Sequence, residues 1–363
     1  MSSHALLPRI FLNNNLVHFR DALLKGYGQV LICLNPLTGI LFFFIIFSVS
    51  QTIFLLSFLG VFLATLTAVL IKAKPSHIET GVYGFNGVVL GIAWPWFLNI
   101  HFVSILLFIF FVCLSSVIIK CLIGYSSRQR SNLPFLSVPT LIIIWFISLL
   151  FPIFPILKDY VGSDPSNVKY LYAFQTNFGN LSSDFSLAQF WKTFYYHILI
   201  TIFILFSIGI HSRLSLFMAF SSFFITILTV FILGGPQEFQ NIDFYLYNAI
   251  PAGIALGGVF LVLTRSVFLL TCLGVILINL IVFWGIREFP LPIFVLPFNL
   301  ITIFFIWLVK SGLLKREQEF TATPMDLVSS PEIGLQWLKG EIYAQNYWRA
   351  FEKFSFRIFR KHF

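Results

Sequence analysis

Long apolar segments follow one another along most of the chain and are separated by short polar breaks. In the first half they lie at residues 37–52, 53–72, 80–100, 101–122 and 133–153, and in the second half at residues 194–211, 213–234, 244–264, 266–285 and 290–310. A helix needs about 20 apolar residues to cross the hydrocarbon core of a bilayer. The pattern therefore predicts an all-α polytopic membrane protein with about ten transmembrane helices.

Two short motifs recur between the halves at nearly equal distances. The first runs from Tyr83 to Asn86 and recurs from Tyr245 to Asn248, with the asparagines 248 − 86 = 162 residues apart. The second is Leu-Pro with another proline five residues after the first, at 133–139 and, offset by 291 − 133 = 158, at 291–297. Because five spans are an odd number, the second copy would enter the membrane from the opposite side. This predicts inverted repeats that enclose a substrate path near the bilayer midplane.

The domain organisation follows from the same pattern. We expect a first repeat with an N-terminal re-entrant segment at 1–153, a polar loop at 154–193, a second repeat at 194–310 and a basic cytoplasmic tail at 311–363. Residues 21–34 are apolar but too short to cross, and Asn35-Pro36 ends them because proline lacks a backbone donor. They form either a re-entrant helix or an interfacial one. The basic tail suits an anionic leaflet or forms a solvated helix without a lipid role.

Composition narrows the class of protein. Hydrophobic residues make up 58% of the chain and charged residues 10%, whereas soluble domains carry about 25% charged residues. The net charge of +9 requires no nucleic acid, since Lys and Arg cluster in loops and tails as they do on the cytoplasmic side of membrane proteins. Both termini are therefore predicted to be cytoplasmic. The sequence contains no recognisable nucleophile–base pair, phosphate-binding loop or metal-ligand cluster, so we expect neither an enzyme nor a cofactor.

A few polar groups lie inside the apolar segments. The Leu-Pro motifs free backbone carbonyls from helical hydrogen bonding, and their recurrence favours a paired constriction over a simple kink. Ser137 supplies a hydroxyl in the first motif, while its counterpart Val295 supplies none. Asn86 and Asn248 must find hydrogen-bond partners, either by joining parts of a broken helix or by contacting the substrate. Because the spans carry almost no charge and no acidic relay, a neutral solute is favoured.

Several of these stretches, spread in the same order over residues 20–332, resemble the urea transporter family. They are Gly26 to Val30, Asn35 to Gly39, Gly81 to Gly87, Leu291 to Leu300 and Ser330 to Glu332. The resemblance implies a passive urea channel between two inverted five-helix repeats, assembled as a homotrimer with a pore in each protomer. It also implies an inner-membrane location, tilted half-helices that end at the midplane, flat apolar slots for urea and a ladder of oxygens that accept its amide hydrogens.

By the same resemblance, particular residues receive roles. Gln29 would belong to the oxygen ladder with the carbonyls near Asn35, Ser137 keeps the hydroxyl of a motif that usually has threonine, and Asn86 would support the half-helix. Val89 occupies the position of a slot leucine. Candidate wall residues are Phe85, Val89, Tyr247 and Phe298, and the second asparagine, Asn248, is included in the candidate site.

The second half departs from the family pattern. Pro251 replaces a slot leucine and Val295 replaces the filter threonine. By the family pattern, a second Gly-Gln and Asn-Pro stretch should lie near 189–201. With the offset of 162, the position that corresponds to Gln29 is Trp191. The nearby polar groups are Gln189, Tyr196 and His197. The sequence therefore predicts a channel for urea or a related small amide. The alternatives are a channel for ammonia, water or another small neutral solute, and a non-conducting relative that acts as an interaction protein.

Overall fold

Helices form almost all of the chain that the structure, a computed structural model, describes: residues 13–129, 133–150, 187–313 and short pieces at 331–332, 335–336 and 338–340. The first half contains α1 (Asn13–Gly28), α2 (Pro36–Val49), α3 (Gln51–Leu70), α4 (Pro75–Glu79), α5 (Val82–Phe97), α6 (Phe102–Arg128) and α7 (Val138–Leu150). The second half contains α8 (Leu187–His211), α9 (Arg213–Glu238), α10 (Ile242–Ile254), α11 (Arg265–Glu288) and α12 (Leu296–Lys310). A π-helical turn, Ala255–Val259, continues α10. Every apolar segment predicted as a span contains one of these helices.

The described helices differ in their capacity to cross a membrane. Four are long and apolar enough: α3, α6, the part of α9 at Arg213–Gly235, and α11. Two further segments, His18–Leu31 and Pro36–Val49, meet at an angle of 73° and together would reach the required length. Other described apolar helices, at 82–95, 138–150, 199–211 and 296–310, are shorter. The all-α membrane fold is confirmed, whereas ten crossings and inverted repeats remain predictions.

Three element boundaries differ from the sequence expectation, and proline explains two of them. The last apolar segment of each half was predicted to begin near 133 and 290, but α7 begins at Val138 and α12 at Leu296. The residues before them are non-helical because Pro134 and Pro292 cannot donate to a helical hydrogen-bond ladder. In the predicted loop 154–193, residues 187–193 belong to α8. The rest of that loop and the basic end of the tail lie outside the described residues.

Small residues allow the helices of each half to approach closely. A Cβ at Gly60 of α3 would overlap the carbonyl oxygen of Gly87 on α5. In the second half, a Cβ at Gly253 of α10 would overlap the Ser222 hydroxyl on α9. Larger side chains at these glycines would push apart the helix pairs α3–α5 and α9–α10.

The two halves also pack against each other. Thr38 on α2 donates a hydrogen bond from Oγ1 to the Ser207 carbonyl on α8 at 3.0 Å. Trp145 on α7 donates from Nε1 to the Pro292 carbonyl at 2.8 Å. A buried apolar cluster joins Ile32 and Leu136 of the first half to α10, α11 and α12. The junction between the halves is therefore a packed interior that contains a few directed polar contacts.

Candidate functional site at the junction of the halves

The recurring asparagines bind the segments that precede α7 and α12, which we call the proline turns (residues 133–137 and 291–295). Asn86 on α5 donates from Nδ2 to the Leu136 carbonyl at 3.3 Å. Asn248 on α10 donates from Nδ2 to the Phe294 carbonyl at 3.1 Å. Both side chains are buried, so their carboxamides supply hydrogen bonds to carbonyls of the non-helical segments before α7 and α12. Two motifs read separately from the sequence are thus joined in each half.

The acceptor oxygens of the same asparagines are also used in matching ways. Oδ1 of Asn86 accepts from the Thr140 hydroxyl at 2.9 Å, and Oδ1 of Asn248 accepts from the Phe298 backbone N–H at 3.2 Å. Positions 140 and 298 are related by the offset of the second motif (298 − 140 = 158). The geometry favours the joining role for Asn86 and Asn248 over direct substrate contact, because their amide groups are engaged with protein atoms.

The proline turns share an unusual backbone conformation. Leu136 has φ 41° and Phe294 has φ 38°, in the left-handed region that non-glycine residues rarely adopt. In each turn this residue's carbonyl accepts the asparagine's hydrogen bond. The strained residue is therefore fixed by a neighbouring helix, and the next helix begins two residues later.

The residue before α7, Ser137, meets Asn299 in the first turn of α12 across the junction, and we call this pair the central contact. Asn299 donates from Nδ2 to the Ser137 Oγ at 3.0 Å, and its Oδ1 accepts from the Ser137 backbone N–H at 3.2 Å. Both residues are buried. Helix N-termini carry partial positive charge, so two such ends converge on this polar pair between the halves.

The predicted wall residues form two pairs with different exposure. Phe85 and Val89 lie one turn apart on α5, and each is 5% exposed. Tyr247 and Pro251 lie one turn apart on α10, where Tyr247 is 42% exposed and Pro251 is half-buried. The Tyr247 ring packs against Phe294 of the proline turn, with centroids 5.9 Å apart. Phe298 and Val295 are buried at the start of α12.

The first broken helix brings Gln29 and Asn35 to a bend rather than to the central contact. α1 passes into a 3-10 turn at Gln29–Leu31, and α2 starts after Asn35, whose Oδ1 caps it by accepting from the Leu37 N–H at 2.9 Å. Gln29 is half-buried and donates from Nε2 to the Thr80 carbonyl just before α5. Among the described residues, its Oε1 accepts no hydrogen bond.

The described residues of the second half contain no matching Asn-Pro break. α8 runs as one helix from Leu187 to His211, through the stretch where the family pattern would place a second Asn-Pro. That stretch contains neither proline nor asparagine, so the helix continues through it. The side chains of Gln189, Trp191, Tyr196 and His197 lie outside the described residues.

Comparison with known families identifies the chain's relatives. A family model described as urea transporter matches residues 20–310. The chain belongs to the urea transporter family. Membership confirms the family resemblance read from the sequence, and it assigns the protein to transport rather than catalysis. It implies urea transport across a membrane, and the apolar helices agree with an integral membrane protein.

Sequence reasoning missed three polar features of this urea transporter. Asn299 was part of a quoted motif but received no role, although it forms half of the central contact. Glu238, at the end of α9, is buried and accepts from the Tyr245 hydroxyl at 2.6 Å and from Arg287. Glu332 of the tail reaches the start of α9. Asn299 and Glu332 carried a signal, as members of the family-like stretches at 291–300 and 330–332, whereas Glu238 carried none.

Proposed function

We propose that this urea transporter is a passive channel whose path runs between the two halves, past the central contact. The observation that carries the proposal is the meeting of α7 and α12 through Ser137 and Asn299, with Asn86 and Asn248 supporting the turns before them. Urea is small, planar and neutral, so a route with a few fixed polar groups can replace its water. Apolar surroundings would reject ions, because desolvating a charge is costly.

In this channel Gln29 and Ser137 provide polar contacts, together with carbonyls near Asn35. Phe85, Val89, Tyr247 and Phe298 form the walls, and Pro251 and Val295 alter the second half of the path. Gln29 is anchored on Thr80 through Nε2, and its Oε1, which accepts no hydrogen bond from the described residues, supports a role in accepting urea amide hydrogens.

The inverted-repeat organisation supports the same path. Asn86 binds the proline turn of the first proposed repeat, residues 1–153, and Asn248 binds the corresponding turn of the second, residues 194–310. From the family resemblance we propose a homotrimer in the inner membrane with both termini in the cytoplasm. Lipid-facing surface is provided by exposed aromatic and aliphatic residues such as Phe110, Phe224 and Ile232.

The direct test is stopped-flow urea efflux from proteoliposomes that contain the purified protein, beside empty liposomes. Gln29→Ala should lower the flux because it removes a proposed acceptor. Gln51→Ala, a change of the same type at the exposed start of α3, should leave it unchanged. Flux at the level of empty liposomes, from folded and reconstituted protein, would refute a urea channel. Equal flux in wild type and Gln29→Ala would remove Gln29 from the path.

A second candidate function is conduction of another small neutral solute, such as ammonia or water. The uninterrupted α8 and the missing hydroxyl at Val295 favour it, because both reduce the polar groups that the second half offers to urea. Fluxes of ammonia, water and simple amides in the same proteoliposomes would separate the two. Background flux for every solute would instead support a non-conducting interaction protein.

A further inference from the structure

The polar groups at the junction are distributed unequally between the halves. Ser137 has a hydroxyl and its counterpart Val295 has none, whereas Asn299 has a carboxamide and its counterpart, at 299 − 158 = 141, is Leu141. The junction therefore has one hydroxyl and one amide from opposite halves instead of two matching polar groups. In the structure these two groups are bonded to each other.

The hydrogen bonds of Asn299 show how it acts. Its Nδ2 donates to the Ser137 Oγ at 3.0 Å and to the Val295 carbonyl at 2.8 Å, and its Oδ1 accepts the Ser137 N–H at 3.2 Å. An amide nitrogen has two hydrogens, so both are engaged with protein atoms. Asn299 would therefore influence a solute mainly through Ser137.

The consequence for Ser137 follows from its bonding capacity. A serine hydroxyl has one hydrogen to donate and two lone pairs that accept. Since Asn299 occupies one lone pair, the hydroxyl hydrogen and the second lone pair remain for other partners. The contact from Oγ to Asn299 Oδ1 is 3.4 Å, longer than a well-formed O–H···O hydrogen bond. The hydroxyl can thus donate to a carbonyl oxygen of a passing solute.

We propose that Asn299 is a positioning residue for solute recognition: it fixes the Ser137 hydroxyl so that this group can bind the carbonyl oxygen of urea. The proposal rests on the proposed channel function and assigns the recognition step to the central contact. It replaces the role that a second hydroxyl at position 295 would have had. Solutes without a carbonyl acceptor would be conducted independently of Asn299.

The test compares Asn299→Leu, Ser137→Ala and the double variant in urea efflux at graded urea concentrations. Losing one positioned hydrogen bond corresponds to about a three- to tenfold change in an equilibrium constant. We expect each single variant to raise the half-saturating urea concentration by about that factor. The double variant should resemble Ser137→Ala, because Asn299 has no further effect once the hydroxyl is gone. Water flux should stay at the wild-type level in all three.

Asn279→Leu is the matched control, because Asn279 on α11 is also buried and donates to Thr226 at 3.3 Å within the second half. If Asn299 had a merely structural role, Asn299→Leu and Asn279→Leu would lower the maximal urea flux to a similar extent. The half-saturating urea concentration would then stay unchanged in both variants. That result, or additive effects in the double variant, would overturn the proposal.

If wild-type protein conducts no urea, the proposed function fails and the contact is tested separately. Thermal unfolding of the four proteins in the Ser137–Asn299 cycle measures whether the two residues are coupled. Absence of coupling would overturn the positioning role of Asn299, whatever the wild-type urea flux.

Discussion

Replacing Glu332 with glutamine should loosen the C-terminal segment from the rest of the protein. The Oε1 of Glu332 accepts from the Ser212 hydroxyl and the Arg213 N–H at 2.8 Å each, and from the Leu214 N–H at 3.3 Å. The carboxylate therefore caps the first turn of α9, where the helix dipole favours negative charge. Ser212 also caps that turn by accepting from the Ser215 N–H at 3.0 Å, so α9 itself should remain folded.

The size of the effect follows from the contacts. Glutamine keeps an acceptor oxygen but loses the charge, which is worth up to about 2 kcal/mol at a partly buried helix N-terminus. Hydrogen bonds to an ionised group are also roughly twice as strong as neutral ones. We expect a loss of about 1–2 kcal/mol in the free energy of docking, or roughly a 5- to 30-fold larger undocked population.

Hydrogen exchange of the peptide at residues 331–340, in detergent or nanodiscs, measures this population directly. The exchange rate there should rise in Glu332→Gln by the same factor, while peptides from α3 and α11 keep their rates. Glu288→Gln, at an exposed carboxylate that ends α11, is the control for loss of one negative charge. Equal exchange at 331–340 in wild type and Glu332→Gln would refute the capping role.

Acid should have the same effect as the mutation. Burial raises the pKa of Glu332, but hydrogen bonds from Ser212 and from backbone amides outweigh it and leave the pKa below its usual value. A carboxyl with a lowered folded-state pKa stabilises docking above the unfolded value of about 4.3, and that stability is lost as pH falls through the folded value. The protection factor at 331–340, which corrects the exchange rate for its intrinsic pH dependence, should therefore fall below about pH 4.3 in wild type and respond less in Glu332→Gln.

Three further predictions concern the membrane interior. Asn248→Leu should lower the free energy of unfolding by about 2–4 kcal/mol, because it leaves two buried backbone groups without partners; an unchanged thermal unfolding midpoint in detergent would contradict this. Gly60→Ala should lower that midpoint because its Cβ would meet the Gly87 carbonyl, whereas Gly124→Ala, with open space around it, should not. Val295→Thr should raise urea flux if the missing hydroxyl limits conduction, and equal flux would show that position 295 is not limiting.

Local sequence patterns were sufficient for the general class of the protein. Apolar run length predicted helices in every expected segment, since a membrane helix satisfies its own backbone hydrogen bonds and needs only apolar side chains outside. The recurrence of Asn86 as Asn248 was also readable, because identical residues at matching distances require no structure to detect. Proline explained why α7 and α12 start late, although their exact first residues were not predicted.

What only the tertiary structure decided is which distant groups meet. Three of the hydrogen-bonded pairs are far apart in the sequence. Asn86 and Leu136 are 50 residues apart, Ser137 and Asn299 are 162 apart, and Glu332 and Ser212 are 120 apart. Such hydrogen bonds depend on the angle and distance at which helices pack, and one sequence contains no local signal for either. The amino-acid sequence thus determined a helical membrane protein with repeated polar motifs. The packing of its two halves determined that Ser137 has Asn299 as its partner.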